Sequence, residues 1–204
     1  MNYLKKIFNS LSGRYKKYPN DDLDEIEPPQ ADKISELMKT LSYDFTGDIV
    51  NLVLPSTNLN IEDIDMFEPI ILGMFLVGYA YYSENSISLS KEEKGKQLKD
   101  FHQEMHNSII NEICIGIYKI NNIEEIHKFS DNFGVILDRR FLEYFPLIDP
   151  DINKQFIQLS MSFARHLFNK KLSEKKLENF ASHLNITIAL HLARMEEKFR
   201  NFEI

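Results

Sequence analysis

An unbroken run of fourteen uncharged residues, PIILGMFLVGYAYY at 69–82, limits how this chain of 204 residues can fold. As a helix the run would span about 21 Å, which is shorter than the ~30 Å hydrocarbon core of a bilayer. Because the run is apolar on every side, it predicts a helix buried at the centre of a globular protein. Gly73 and Ala80 lie seven residues apart on one face, where they would let another helix approach closely.

Helix signals follow this run along the chain. SKEE at 90–93 has the residues of a capping box and precedes an apolar-periodic stretch that extends to about Ile120. NIEE at 122–125 is a second candidate box, and its helix should end before Pro146. The remaining predicted helices run from Asp149 and Pro150 to about Lys170, and from Ser173 to about Phe199.

Upstream of the apolar run, residues 31–54 predict one or two shorter helices, broken near Gly47 and ended by Pro55. No segment alternates apolar and polar residues as a half-buried strand does. The sequence therefore predicts an all-α fold: a single-domain bundle of about six or seven helices over residues 30–204. Residues 1–29 are predicted to form a basic amphipathic helical arm followed by an acidic linker.

The predicted arm is the most basic part of the chain. Residues 1–17 contain five Lys and Arg side chains and no acid, and the acidic run NDDLDEIE follows at 20–27. Such an arm suits a partner protein's groove, a dimer contact, the protein's own core or a membrane surface. The side chains expected to form its apolar face are Leu4, Ile7, Phe8, Leu11 and Tyr15.

Charge and cysteine content exclude some classes of function and localisation. The net charge of −7 argues against general nucleic-acid binding. The single cysteine, Cys114, cannot form a disulfide within the chain, which fits a reducing compartment. Lys5 and Lys6 interrupt any signal-peptide core, so a cytoplasmic location is expected. The richness in Lys, Asn and Ile is typical of AT-rich bacterial genomes.

Four polar side chains are predicted to face the core. In the helix after Ser90, His102 lies at the centre of the apolar stripe and His106 about 40° to one side, whereas Glu104 points to solvent. His191 lies within the stripe of the last helix, and Arg140 within the stripe of the helix after Asn122. Three explanations remain open: local hydrogen bonding inside the core, a stripe that lines a groove or an oligomer interface, and a metal or haem site.

A metal site would need more ligands than the sequence supplies in one place. The spacing His102-x-x-x-His106 differs from the H-E-x-x-H of zinc proteases, and Glu104 faces away. Only one E-x-x-H motif is present, Glu124 to His127, whereas a di-iron bundle uses two. We therefore expect no metal and no cofactor, with His102, His106 and His191 as the ligand set if a metal were bound.

No complete catalytic motif is visible, so the first hypothesis is a non-catalytic interaction or regulatory protein. It would act on a partner protein, or by self-association, through a helical groove or a dimer face. The second hypothesis is a bundle enzyme or carrier that holds a metal or haem with the inward-facing histidines. The third is a peripheral membrane protein anchored by residues 1–17.

Overall fold

The structure, a computed structural model, describes residues 30–57, 64–65, 67–84, 87, 89–111, 120, 122–148, 156–169 and 171–202. Within these ranges it contains α-helices and one short 3-10 segment but no strand, which confirms the predicted all-α class. The arm with its apolar residues, the acidic linker, Cys114 and the predicted start at Asp149 and Pro150 all lie outside the described residues.

Six α-helices form the described part of the bundle. In chain order they are α1 (Gln30–Thr57), α2 (Phe67–Ser83), α3 (Lys91–Ile109), α4 (Ile123–Tyr144), α5 (Ile157–Phe168) and α6 (Glu174–Arg200). A 3-10 segment, Phe145–Leu147, continues α4 and contains the proline that was predicted to end it. The number and type of the helices agree with the prediction.

Helix α2 is the centre of the bundle, as the apolar run predicts. It packs against each of the other five helices. All residues from Glu68 to Gly78 are buried, and so are Ala80 and Tyr81. No helix in the described part of the chain is long and apolar enough to cross a membrane.

Gly73 is the point where α1 comes closest to α2. A Cβ atom built on Gly73 would lie 2.9 Å from the Ser42 backbone oxygen and 3.3 Å from a ring carbon of Phe45. Such distances are shorter than ordinary van der Waals contact, so only glycine lets the two helices meet here. The close approach that the sequence predicted at this face is present.

The predicted break near Gly47 and the predicted end at Pro55 were wrong. A single helix, α1, runs through both positions as far as Thr57. Its buried residues include Phe45, Ile49 and Val53, so the same apolar face continues past Gly47 and packing holds the helix together. Pro55 lies within the last turn of α1, so its missing backbone N–H removes one hydrogen bond, to the carbonyl of residue 51, close to the end of the helix.

Caps fix the starts of two helices. Ser90 and Glu93 form the predicted capping box of α3, with both reciprocal hydrogen bonds present. Asn122 caps α4 by accepting a hydrogen bond from the Glu124 backbone N–H at 2.9 Å, without the reciprocal bond expected from Glu125. These caps satisfy backbone N–H groups at the first turns of α3 and α4 and so fix where the two helices begin.

Candidate functional site

Two of the three candidate histidines lie in one groove. His102 and His106 are a turn apart on α3 and face α4 across a groove of about 380 Å³. Its lining includes Gly95, Lys99, Gly134 and Asp138. A Cβ atom added at Gly95 would meet nothing within 4 Å, and one at Gly134 would meet only the His106 ring, so the glycines leave this groove open.

Among the residues that line this groove, His102 has a clearly shifted pKa. Its ring lies edge-on to Phe141 with the centroids 5.1 Å apart, and its Nε2 is buried without a hydrogen-bond partner among the described residues. Burial lowers the pKa of His102 from 6.5 to about 4, against the opposing effect of the Asp138 carboxylate. The imidazole is therefore neutral near pH 7.

His106 is hydrogen-bonded within the same interface. Its Nε2 lies 3.0 Å from the Ser130 hydroxyl of α4, and its ring packs edge-on against Phe133 at 5.5 Å. His106 is thus satisfied by a neighbouring side chain, which is the local explanation that the sequence left open.

His191 lies elsewhere. Its Nε2 is 3.0 Å from the Asp48 carboxylate of α1, and its ring is edge-on to Phe45 at 5.2 Å. The structure therefore does not bring His191 to the groove that holds His102 and His106. No group of three metal-ligating side chains occurs in the described part of the chain.

Arg140 is mostly buried, and its partner is Glu68. Its side chain is 15% exposed, and its Nε donates to a Glu68 carboxylate oxygen at 2.8 Å. The second Glu68 oxygen accepts a hydrogen bond from the Tyr144 hydroxyl at 3.0 Å. Burial raises the pKa of Tyr144, and the adjacent Glu68 carboxylate raises it further, so Tyr144 remains a donor.

Sequence reasoning missed Glu68. It stands directly before the apolar run, in the first turn of α2, and only 1% of its side chain is exposed. The available signal was positional: a helix that is apolar all round leaves no exposed side for a charged residue at its start. An acid in the first turn is also favoured by the helix dipole.

A second carboxylate extends the network to α5. Glu143 lies 3.7 Å from Arg140 and accepts hydrogen bonds from Ser162 and from His166, the latter at 2.9 Å. Burial alone would raise the pKa of Glu143, but the bonds from Ser162 and His166 outweigh it and the pKa is lowered. Because each carboxylate here already has partners on another helix, the network connects α2, α4 and α5.

The side chain of Glu104 is 44% exposed, so it reaches solvent as predicted, but its carboxylate also contacts α1. It accepts a hydrogen bond from Ser35 at 3.0 Å and forms an ion pair with Lys39, both on α1. The helical period placed Glu104 correctly on the side of α3 opposite the histidines. That side faces α1, whose position against α3 could not be derived from the sequence.

A second groove runs between α1 and α6 and has a volume of about 530 Å³. Leu52 and Leu190 supply apolar surface, and the polar lining includes Asp48, His191 and Arg194. Arg194 also reaches Asp44 of α1 at 3.4 Å. This groove, termed the α1–α6 groove, is open to solvent along one side of α6.

The outer face of α6 next to this groove is unusually apolar. The stretch SHLNITIALHLA at 182–193 contains no Asp, Glu, Lys or Arg. Ile186 and Leu190 are 59% and 68% exposed on it, and Ala189 and Ala193 are exposed on the same side. This uncharged surface covers about three helical turns.

Helix α4 has a second exposed apolar line. Val135 and Leu142 are 57% and 79% exposed, although Phe133, Leu137 and Tyr144 on the other side of the same helix are buried. Exposed charged residues flank this line on both sides. Helix α4 therefore has one face in the core and one apolar face that no described residue covers.

The comparisons with known proteins give no relative for this chain. No family model matches it, and neither a curated protein nor a solved structure matches it.

Proposed function

We propose that this protein acts by binding a helix of a partner protein at the α1–α6 groove and the outer face of α6. The supporting observation is the exposure of Ile186 and Leu190 on a stretch of twelve residues without a charged side chain. Exposed apolar patches with polar rims are typical of protein interaction sites. The proposal carries forward the first hypothesis from the sequence, an interaction protein that uses a helical groove.

The shape of this surface favours a helix as the bound element. Ala189 and Ala193 are four residues apart and small, so they would let a partner backbone approach α6 closely. Leu190 stands between this face and the α1–α6 groove, which continues the apolar surface toward Leu52. An amphipathic helix with apolar residues at i, i+3, i+4 and i+7 would fill both parts.

The polar rim would orient the partner. Asp48 of α1 and Arg194 of α6 border the α1–α6 groove, and Asp44 of α1 lies beside it, paired with Arg194. Exposed pairs of this kind contribute little to stability, roughly 0–1 kcal/mol, so their charges can be used for recognition without loss of the fold.

Photocrosslinking in cells that express the chain tests this function. A photoreactive amino acid is placed at position 186 or 190, and at the exposed position 178, about two helical turns before position 186, as a control. We expect adducts of higher mass from 186 and 190 but not from 178. Leu190→Glu should abolish the adduct from position 186 without changing the melting temperature.

Equal adduct formation at all three positions, or none at any of them, would contradict the proposal. The purified protein is treated in the same way. Adducts that form from the purified chain alone would identify the partner as a second copy rather than another protein.

A further inference from the structure

We propose that the outer face of α4 pairs with the same face of a second copy of this chain, with the two α4 helices parallel. This inference uses a different surface from the proposed partner site on α6, so either can fail alone. It begins with Val135 and Leu142, which are seven residues apart and within about 20° of each other around the helix. Both are more than half exposed.

The apolar line has acids on one side and bases on the other. Around an ideal helix, Asp131 and Asp138 fall on one side of Val135, whereas Lys128 and Arg139 fall on the opposite side. All four are exposed, and none forms an ion pair or hydrogen bond with another described residue. Asp138 also borders the groove of His102, where its carboxylate opposes the lowering of the His102 pKa. The four charges are therefore accessible to a partner.

This arrangement selects one orientation. When two copies of a helix pair in parallel about a twofold axis, the left side of one meets the right side of the other. Asp138 then faces Arg139 of the second copy, and the same contact occurs twice. When two copies pair antiparallel, like sides meet, so that acids would face acids and bases would face bases.

The apolar residues agree with the parallel orientation. Val135 would contact Val135 of the second copy, and Leu142 would contact Leu142 of the second copy, as residues at one heptad position do in a parallel pair. Such an interface uses the same patch on both copies and closes at two, so it produces a dimer rather than a filament. The buried side of α4 remains in its own bundle.

Charge reversal tests the pairing. The mass of the full chain is followed over a concentration series by sedimentation, and the wild type is expected to dimerise. D138R alone and R139D alone each place like charges together, and each should weaken dimerisation at least about tenfold. An equimolar mixture of the two variants should dimerise again, because each copy then supplies the charge that the other lacks.

Disulfide trapping tests the orientation. In a Cys114→Ser background, Leu142→Cys should form a disulfide-linked dimer, whereas a mixture of Val135→Cys and Leu142→Cys chains should form few mixed dimers. Lys96→Glu, a charge reversal at an exposed position of α3 outside both proposed surfaces, is the control and should leave dimerisation unchanged.

The proposal is overturned if the chain is monomeric at every concentration. It is also overturned if neither D138R nor R139D weakens dimerisation. Preferential linkage of position 135 to position 142 overturns the parallel orientation. Circular dichroism of each variant distinguishes loss of pairing from loss of the fold.

Discussion

At the scale of single residues, His102 makes stability depend on pH. Its pKa is about 4 in the folded protein and 6.5 without the fold, so the unfolded chain takes up the proton first as pH falls. The full contribution is present above pH 6.5 and is lost as pH falls toward 4. At about 1.4 kcal/mol per pKa unit, the loss is roughly 3 kcal/mol.

His102→Leu should remove this dependence, because leucine keeps the volume and takes up no proton. Denaturant unfolding near pH 7 and about pH 4.5 measures it, and the variant should lose less stability between the two than the wild type. The exposed His127→Leu is the control and should behave as the wild type does. Equal acid sensitivity in His102→Leu would show that folding does not lower the pKa of His102.

Helical periodicity predicted the direction of polar residues but not their partners. It placed His102 and Arg140 on faces turned toward other helices, as found. It could not show that Arg140 would meet Glu68, seventy-two residues away, or that His191 would meet Asp48. A periodic pattern gives the rotation of each helix about its own axis and nothing about which helix lies opposite.

At the scale of elements, two glycines of α2 allow the effect of helix packing on stability to be measured separately from the effect of helix propensity. Gly73→Ala should lower the free energy of unfolding by about 1–3 kcal/mol, because the new Cβ would lie 2.9 Å from the backbone oxygen of Ser42. Gly78→Ala is the matched control in the same helix. Its Cβ would lie 3.5 Å from a Leu98 methyl, an ordinary contact, so the change should be neutral or stabilise by up to about 1 kcal/mol.

Thermal or denaturant unfolding of the two variants decides the matter. If Gly73→Ala and Gly78→Ala change the free energy of unfolding equally, α1 can move away from α2 without loss of stability. The close approach would then not be a feature that holds the bundle together.

Helix starts were more predictable than breaks. The Ser90 box is a local hydrogen-bonding pattern, so the sequence contains all of it. A break at Gly47 depends on whether the gain from packing exceeds a penalty of about 1 kcal/mol. Because α1 buries apolar residues on both sides of Gly47, tertiary packing outweighed the local preference.

At the scale of the whole molecule, the network around Glu68 joins three helices. Arg140 and Tyr144 of α4 hold the Glu68 carboxylate at the start of α2, and Glu143 extends the contacts to α5. Removing one partner leaves a buried carboxylate uncompensated. Arg140→Met should therefore destabilise the protein by roughly 3–5 kcal/mol.

The comparison pair is Arg165 and Glu174, which are 2.8 Å apart but both more than half exposed. Arg165→Met should cost roughly 0–1 kcal/mol, because solvent screens that pair. The triple variant Glu68→Met, Arg140→Met and Tyr144→Phe removes all three polar groups together. It should recover most of the stability lost in Arg140→Met, since no buried charge or donor remains without a partner.

Denaturant unfolding of the three variants measures these differences. If Arg140→Met and Arg165→Met are equally mild, Glu68 finds water or another donor when Arg140 is absent, and the network does not join the helices. If the triple variant is the least stable, the polar contacts themselves stabilise the bundle beyond what apolar packing could supply. Either result would contradict the expectation that Arg140→Met destabilises the protein by leaving the Glu68 charge uncompensated.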